Sequence, residues 1–210
     1  QSRNFIVIDE LRPVMSALCI DVAEDLSDVV FVATNTQILY KRVLSNDPAK
    51  GGYDFFRGGG SGKMLLHLDY FRTVSVLNDA EKVDIESDGH NIRIWTRDSE
   101  FTCKALEGKY PNYNSVIPRN NPYYITFDKK EMISVIKRVA MFSSESSNLI
   151  VLEKNGMLLN VSAQDIDFGR SADDQVIITN AECNDHFRIG FKSSFLIDTI
   201  SAIDSAAIRM

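Results

Sequence analysis

Positive charge is in deficit: 23 Lys and Arg stand against 29 Asp and Glu, a formal net charge of −6. That balance weighs against a dedicated nucleic-acid binder, which ordinarily carries a basic excess. Cysteine is scarce as well. Cys19, Cys103 and Cys183 are odd in number, far apart and without a C-x-x-C pairing. Each sits in an apolar or alternating run and reads as a buried free thiol in a reducing compartment. His67, His90 and His186 are not at metal-ligand spacing to one another or to the cysteines. A disulfide scaffold and a structural zinc site are therefore excluded, and no cofactor is expected. No apolar run approaches the ~18–20 residues of a transmembrane helix. The opening QSRNFIVIDELRP has too short an apolar patch, and no small-residue cleavage site, for a signal peptide. A cytoplasmic protein is the expectation.

What is present is ordinary globular material: 210 residues, 44% hydrophobic and 25% charged. Roughly 70% of the chain's surface can be buried at this size, in one large domain or two of about 100 residues. Period-2 alternation dominates. Ile92 and Ile94, then Phe101, Cys103 and Ala105, face one way, with Arg93, Thr102 and Lys104 opposite. Leu159, Val161 and Ala163, and Phe187, Ile189 and Phe191, repeat the pattern of half-buried antiparallel strands. Asp88-Gly89 and Asn155-Gly156 are strong hairpin dipeptides between such runs. Helical spacing is rarer. Asp128 is a good N-cap for KKEMISVIKRVA, whose Met132, Val135, Ile136 and Val139 form an apolar stripe. A second helix is predicted from Ser193 or Ser194, burying Phe195, Leu196, Thr199, Ile200 and Ile203. A third is predicted over Asp69–Leu77.

The two halves read as a repeat. Ser16–Val22 is patterned like Ser147–Glu153, Val29–Ala33 like Leu158–Ser162, and the Asp69 helix like the Ser194 helix. The boundary falls near IPRNNPYY, where Pro118 and Pro122 flank a polar run. Strands that follow Ile85 in the first half have no counterpart after Met210, and Tyr124–Phe127 has none before Gln1. A chain cut at both ends is the expectation.

GGGSGKM, Gly58–Met64, invites a phosphate-loop reading. Four residues before Gly62 stands Gly58, yet the residue that the Walker spacing calls for is Arg57, and Met64 replaces the hydroxyl. A flexible surface loop fits better. Ser143, Ser144, Ser146 and Ser147 read as a solvated turn. Asp165 and Asp167 read as a solvent-facing pair rather than metal ligands. Lys129, Lys130, Lys137 and Arg138 on one short helix are either a solvated face or a surface that tracks phosphates without reading bases.

GKYPNYNSVIP, Gly108–Pro118, resembles the signature closing the middle domain of bacterial sliding clamps, the beta subunit of DNA polymerase III. KRVAMFSSESSNLIVLEKNGMLLNVSAQ resembles the opening of that family's third domain. ELRPVMSALCIDV and VVFVATNTQIL resemble the middle domain's hairpin and its Ala-Thr-Asp-Gly-His-Arg-Leu stretch. The resemblance implies an α+β DNA-clamp fold of repeated domains, each with two helices packed on antiparallel sheets. It implies a middle domain over 1–118 and a third domain over 119–210.

The function implied is mechanical: a ring that encircles duplex DNA without sequence reading and tethers the replicative polymerase. The chain is then a non-catalytic subunit, cytoplasmic and nucleoid-associated. Lys130, Lys137, Arg138 and Arg72 would face DNA. Met15, Thr34, Leu39, Pro111 and Val116 match the pocket that takes hydrophobic peptide motifs of the polymerase III alpha subunit, the clamp loader and repair polymerases. The family's Asp-Gly-His-Arg is Asn35, Thr36, Gln37 and Ile38 here. Met141 and Phe142 match the apolar pair at the protomer interface of a homodimeric ring. The alternative is an α+β nucleotide-binding enzyme domain using Gly58–Lys63.

Overall fold

The computed structural model describes residues 2–25, 27–45, 62–70, 83–184 and 186–210. The chain divides into two compact units, Gln1–Val116 and Ile117–Met210. In the first, β1 (Ala17–Val22), β2 (Asp28–Thr34), β3 (Leu39–Ser45) and β4 (Gly62–His67) form an antiparallel sheet of order β3-β2-β1-β4. A three-stranded sheet follows from β5 (Asp84–Ser87), β6 (Asn91–Trp95) and β7 (Glu100–Lys104). Its first hairpin turns at Asp88-Gly89, with Gly89 at φ +88°. Asp88 accepts the amides of His90 and Asn91, the local bonding that favours aspartate in turns. As the alternation requires, Ile92, Ile94, Cys103 and Ala105 are buried.

The second unit holds six strands in the order β12-β9-β10-β11-β8-β13. They are β8 (Tyr124–Asp128), β9 (Leu149–Asn155), β10 (Leu158–Asp165), β11 (Arg170–Glu182), β12 (His186–Lys192) and β13 (Ala207–Arg209). Helix α1 (Lys129–Ala140) lies on this sheet, and α2 (Ser193–Ala202) packs beside it. The α1 stripe of Met132, Val135, Ile136 and Val139 closes over Phe127, Ile150, Leu152, Leu159, Val161 and Val176. Each such aliphatic side chain contributes roughly 1.5–3 kcal/mol on burial. Asp128 caps α1 by accepting the Glu131 amide at 2.8 Å.

The repeat appears as topology. Reading β1, β2, β3 and β4 as β9, β10, β11 and β12 turns the first sheet's order into that of the second. In both units the last of these four matched strands leads into a helical segment, at Leu68–Tyr70 and at Ser193–Ala202. The rest of the helix predicted over Asp69–Leu77 lies outside the described residues.

Several expectations need correction. Ile203 is the exposed C-cap of α2 rather than part of its buried side, because the helix ends at Ala202. Phe195 and Thr199 are only half-buried, and Ile189 on the edge strand β12 is 44% exposed. Ser143 is buried, its hydroxyl satisfied by the Ala140 carbonyl at the end of α1. Asp165 is buried too, accepting Arg170 Nη2 at 3.0 Å and the Phe168 amide at 3.3 Å. An ion pair and a backbone donor make that burial tolerable.

Candidate partner and nucleic-acid interfaces

Strand register decides which side chains share a face of the first sheet. Thr34 pairs with Leu39, Val32 with Lys41, Cys19 with Val32 and Leu65, and Asp21 with Val30 and Lys63. Partners across a ladder point the same way, and so do residues two apart along a strand. One face therefore carries Leu39, Thr34, Lys41, Val32, Cys19, Asp21 and Lys63. The opposite side of β3 carries Tyr40, which stacks on the buried Phe5 at 5.2 Å.

The segment from Gly108 to Val116 is fastened to that face. Leu106 N–H donates to the Leu65 carbonyl at 3.0 Å. Gly108 then takes φ +133°, where an added Cβ would stand 2.6 Å from Val14 Cγ1. Asn112 accepts the Asn114 amide and starts a single 3-10 turn, Tyr113–Ser115. Tyr113 is buried, and its hydroxyl donates to Asp21 Oδ2 at 2.9 Å. Burial and the neighbouring Asp21 push the phenol up to about 12. Burial likewise pushes the Cys19 thiol to about 12. Lys41 donates to Asn114 Oδ1 at 3.3 Å, and the Lys41 and Lys63 ammoniums lie 5.5 and 5.3 Å from the Tyr113 ring centre.

Of the five residues matched to the peptide pocket, Thr34 and Leu39 are a cross-strand pair, both half-buried. Pro111 and Val116 are exposed on the segment that Tyr113 and Asn114 pin to the sheet. Met15 is buried in the turn before β1. Thr34 Oγ1 donates to the Ile38 carbonyl and accepts the Thr36 amide, which leaves its methyl for packing. Thr36 sits at φ +75°, a conformation that suits glycine far better than a β-branched residue.

In the second unit, Lys130 and Lys137 are exposed along the side of α1 opposite its buried stripe. Arg138 lies on the flank, where Nε and Nη2 both bond Asp174 Oδ2 and Nη1 bonds Ser134. That guanidinium holds the Asp174 carboxyl below its usual range. Lys129 instead donates to the Ser201 and Ile203 carbonyls at the end of α2. Met141 and Phe142 follow the end of α1, 69% and 38% exposed. Arg72 lies outside the described residues.

Two features were not anticipated from sequence. Lys154 is buried on β9, with its ammonium on the Asn184 carbonyl at 3.1 Å. Near it a cavity of about 250 Å³ is lined by Tyr123, Tyr124, Cys183, Asn184, Phe187 and Ile189, among others. Only the apolar parity of β12 hinted at it.

Among the described residues no group of three His, Cys, Asp or Glu converges, and no helix is long and apolar enough to cross a membrane. Lys63 belongs to β4 and pairs with Asp21 at 3.5 Å. It leads into a strand, whereas a phosphate-binding loop leads into a helix N-terminus.

Residues 114–210 match the sequence profile of the family described as DNA polymerase III beta subunit, C-terminal domain. The beta sliding clamp of Synechococcus elongatus is 27% identical over 147 residues, which are 68% of this chain and 38% of that protein. The beta sliding clamp of Pseudomonas aeruginosa is 28% identical over 120 residues, 57% of this chain and 32% of its own. The fold matches the crystal structure of a Pseudomonas aeruginosa sliding clamp bound to griselimycin, with TM-score 0.85 and 21% identity. That match covers 99% of this chain and 53% of the clamp. The Bacillus subtilis clamp gives TM-score 0.85 at 20% identity, over 100% and 53%. The chain thus spans about half the length of the solved clamps it matches.

Proposed function

We propose that this chain, a partial bacterial sliding clamp by sequence profile and fold, serves in a DNA polymerase processivity factor. The factor is a ring that encircles duplex DNA without reading its sequence and keeps the replicative polymerase tethered. It makes and breaks no bond. The observation that carries the reading is the beta-subunit profile over 114–210, joined to a clamp fold over nearly the whole chain. In this reading 1–118 is the middle domain and 119–210 the third, and the ring is a homodimer working at the nucleoid.

Lys130 and Lys137 are the phosphate-facing pair. Arg138 contributes less, since Asp174 already neutralises it. Arg72 would join them from the first unit. Because only ring-lining charge meets the DNA, a net charge of −6 is no obstacle: an acidic exterior repels DNA from the wrong surface. Met15, Thr34, Leu39, Pro111 and Val116 form the groove for hydrophobic motifs of the polymerase III alpha subunit, the clamp loader and repair polymerases. Apolar anchors in a water-poor groove supply most of such binding energy. Met141 and Phe142 meet the neighbouring protomer. The nucleotide-enzyme alternative is not favoured, given the position of Lys63 in β4.

Duplex binding by the chain tests the electrostatic part. Weak binding is expected, falling steeply with salt, with Lys137→Glu flattening the log–log slope by about 1–2. Salt-independent binding would contradict the reading.

A further inference from the structure

We infer that Asp174 on β11 is a counter-charge that holds Arg138 off the duplex, so that α1 grips DNA through Lys130 and Lys137 while a third cation is kept in reserve. The inference rests on the DNA-facing role proposed above for α1. Asp174 itself is outside that set, and it tunes the grip rather than forming it.

Register brings the pair together. On β11, Asp174 lies opposite Val161 and Asp173 opposite Ser162. Val161 is buried in the core that α1 closes, so Asp174 takes the α1 side of the sheet and Asp173 the far side. Arg138 reaches across to it from the last turn of α1. Its Nε and Nη2 bond Asp174 Oδ2 at 2.9 and 2.6 Å, and Nη1 bonds Ser134 Oγ at 2.6 Å, one turn back along the helix. Three of the five guanidinium donors are thereby taken, and the fork is aimed at β11. Lys130 and Lys137 instead stand exposed along the helix.

Magnitude decides how the pair behaves. The Arg138 and Asp174 side chains are 54% and 35% exposed, and an ion pair so open to water is weak. It neutralises Arg138 while no other anion is near. A phosphate offers the same fork a second acceptor of comparable strength, so the two anions compete for it. Asp174 stays ionised throughout the neutral range, because Arg138 holds its carboxyl below the usual value. The result is a looser and less salt-sensitive hold than three free cations would give. That suits a protein that must slide along the duplex without stopping.

Fluorescence anisotropy with a labelled duplex of arbitrary sequence, read over a series of KCl concentrations, tests this. Asp174→Asn frees the guanidinium while preserving the size of the side chain. Affinity at low salt should rise about three-fold. The log–log salt slope should steepen by about 0.9, one further phosphate contact. Asp173→Asn removes the same charge from the far side of the sheet and should leave the slope as it is. Adding Arg138→Gln to Asp174→Asn should abolish the gain. Equal gains in Asp174→Asn and Asp173→Asn, or a gain in neither, while Lys137→Glu still weakens binding, would overturn the inference and leave the DNA-facing reading standing. A duplex that binds none of the forms, or binds them all without salt dependence, would overturn the DNA-facing reading and this inference with it.

Discussion

The Tyr113 hydroxyl donates to Asp21 across 92 residues of chain, at 2.9 Å. This bond fixes the wall of the proposed docking groove to the floor of the sheet. Local sequence does not produce it. It exists because β1 presents Asp21 on the face where the turn after Asn112 delivers Tyr113.

Removing that hydroxyl gives the first prediction. Tyr113→Phe should destabilise the first unit by about 1–2 kcal/mol, since a partly buried carboxylate loses one donor. Urea denaturation followed by Trp95 fluorescence measures it. Burial of the phenol, together with the same bond, predicts a pH response. The phenol's folded pKa is raised from 10.0 to about 12, so the stabilisation is complete below pH 10 and is lost as pH rises toward 12. In Tyr113→Phe this contribution to the alkaline loss should be absent.

Thr36 should be replaceable to advantage. At φ +75° a β-branched residue is strained by roughly 1–2 kcal/mol. Glycine removes the strain but has more chain entropy to lose. Thr36→Gly is expected to raise unfolding free energy by about 0.5–1 kcal/mol, read from the shift in urea midpoint.

Gly108 should tolerate nothing larger. An alanine there meets Val14 Cγ1 at 2.6 Å and keeps an unfavourable φ. Gly108→Ala is expected to cost about 2–3 kcal/mol. Gly108→Ala combined with Val14→Ala should recover the steric part alone.

The thiols should differ in accessibility. Cys19 and Cys103 are buried and Cys183 is half-buried, so a disulfide reagent should modify Cys183 first in the native protein. The Cys19 thiol is raised from 9.0 to about 12, chiefly by burial. It should react only as the protein unfolds.

Much of the fold was legible because local signals agreed with tertiary packing. The α1 stripe and its Asp128 cap lie within a dozen residues, and Asn155-Gly156 dictates its own hairpin. Asp165 was misread although its position was written in the pattern. It continues the inward parity of Leu159, Val161 and Ala163, and only its charge argued outward. Lys154 extends Ile150 and Leu152 in the same way, its stem in the core and its head on a carbonyl. The partners of Arg138 and Lys41 were invisible for another reason. Asp174 and Asn114 are distant in sequence, and contacts between a helix or turn and a remote strand follow from tertiary packing, which periodicity alone does not specify.

The central claim is that the first unit docks hydrophobic partner peptides on its Thr34–Leu39 face. Methyl NMR of the chain, titrated with a peptide bearing an aliphatic–aromatic anchor, tests it most directly. Saturable shifts centred on Thr34, Leu39 and Val116, with Ile92 and Ile94 unmoved, are the predicted result. Resonances of Thr34, Leu39 and Val116 that stay fixed while the peptide is taken up elsewhere, or not at all, would contradict the account.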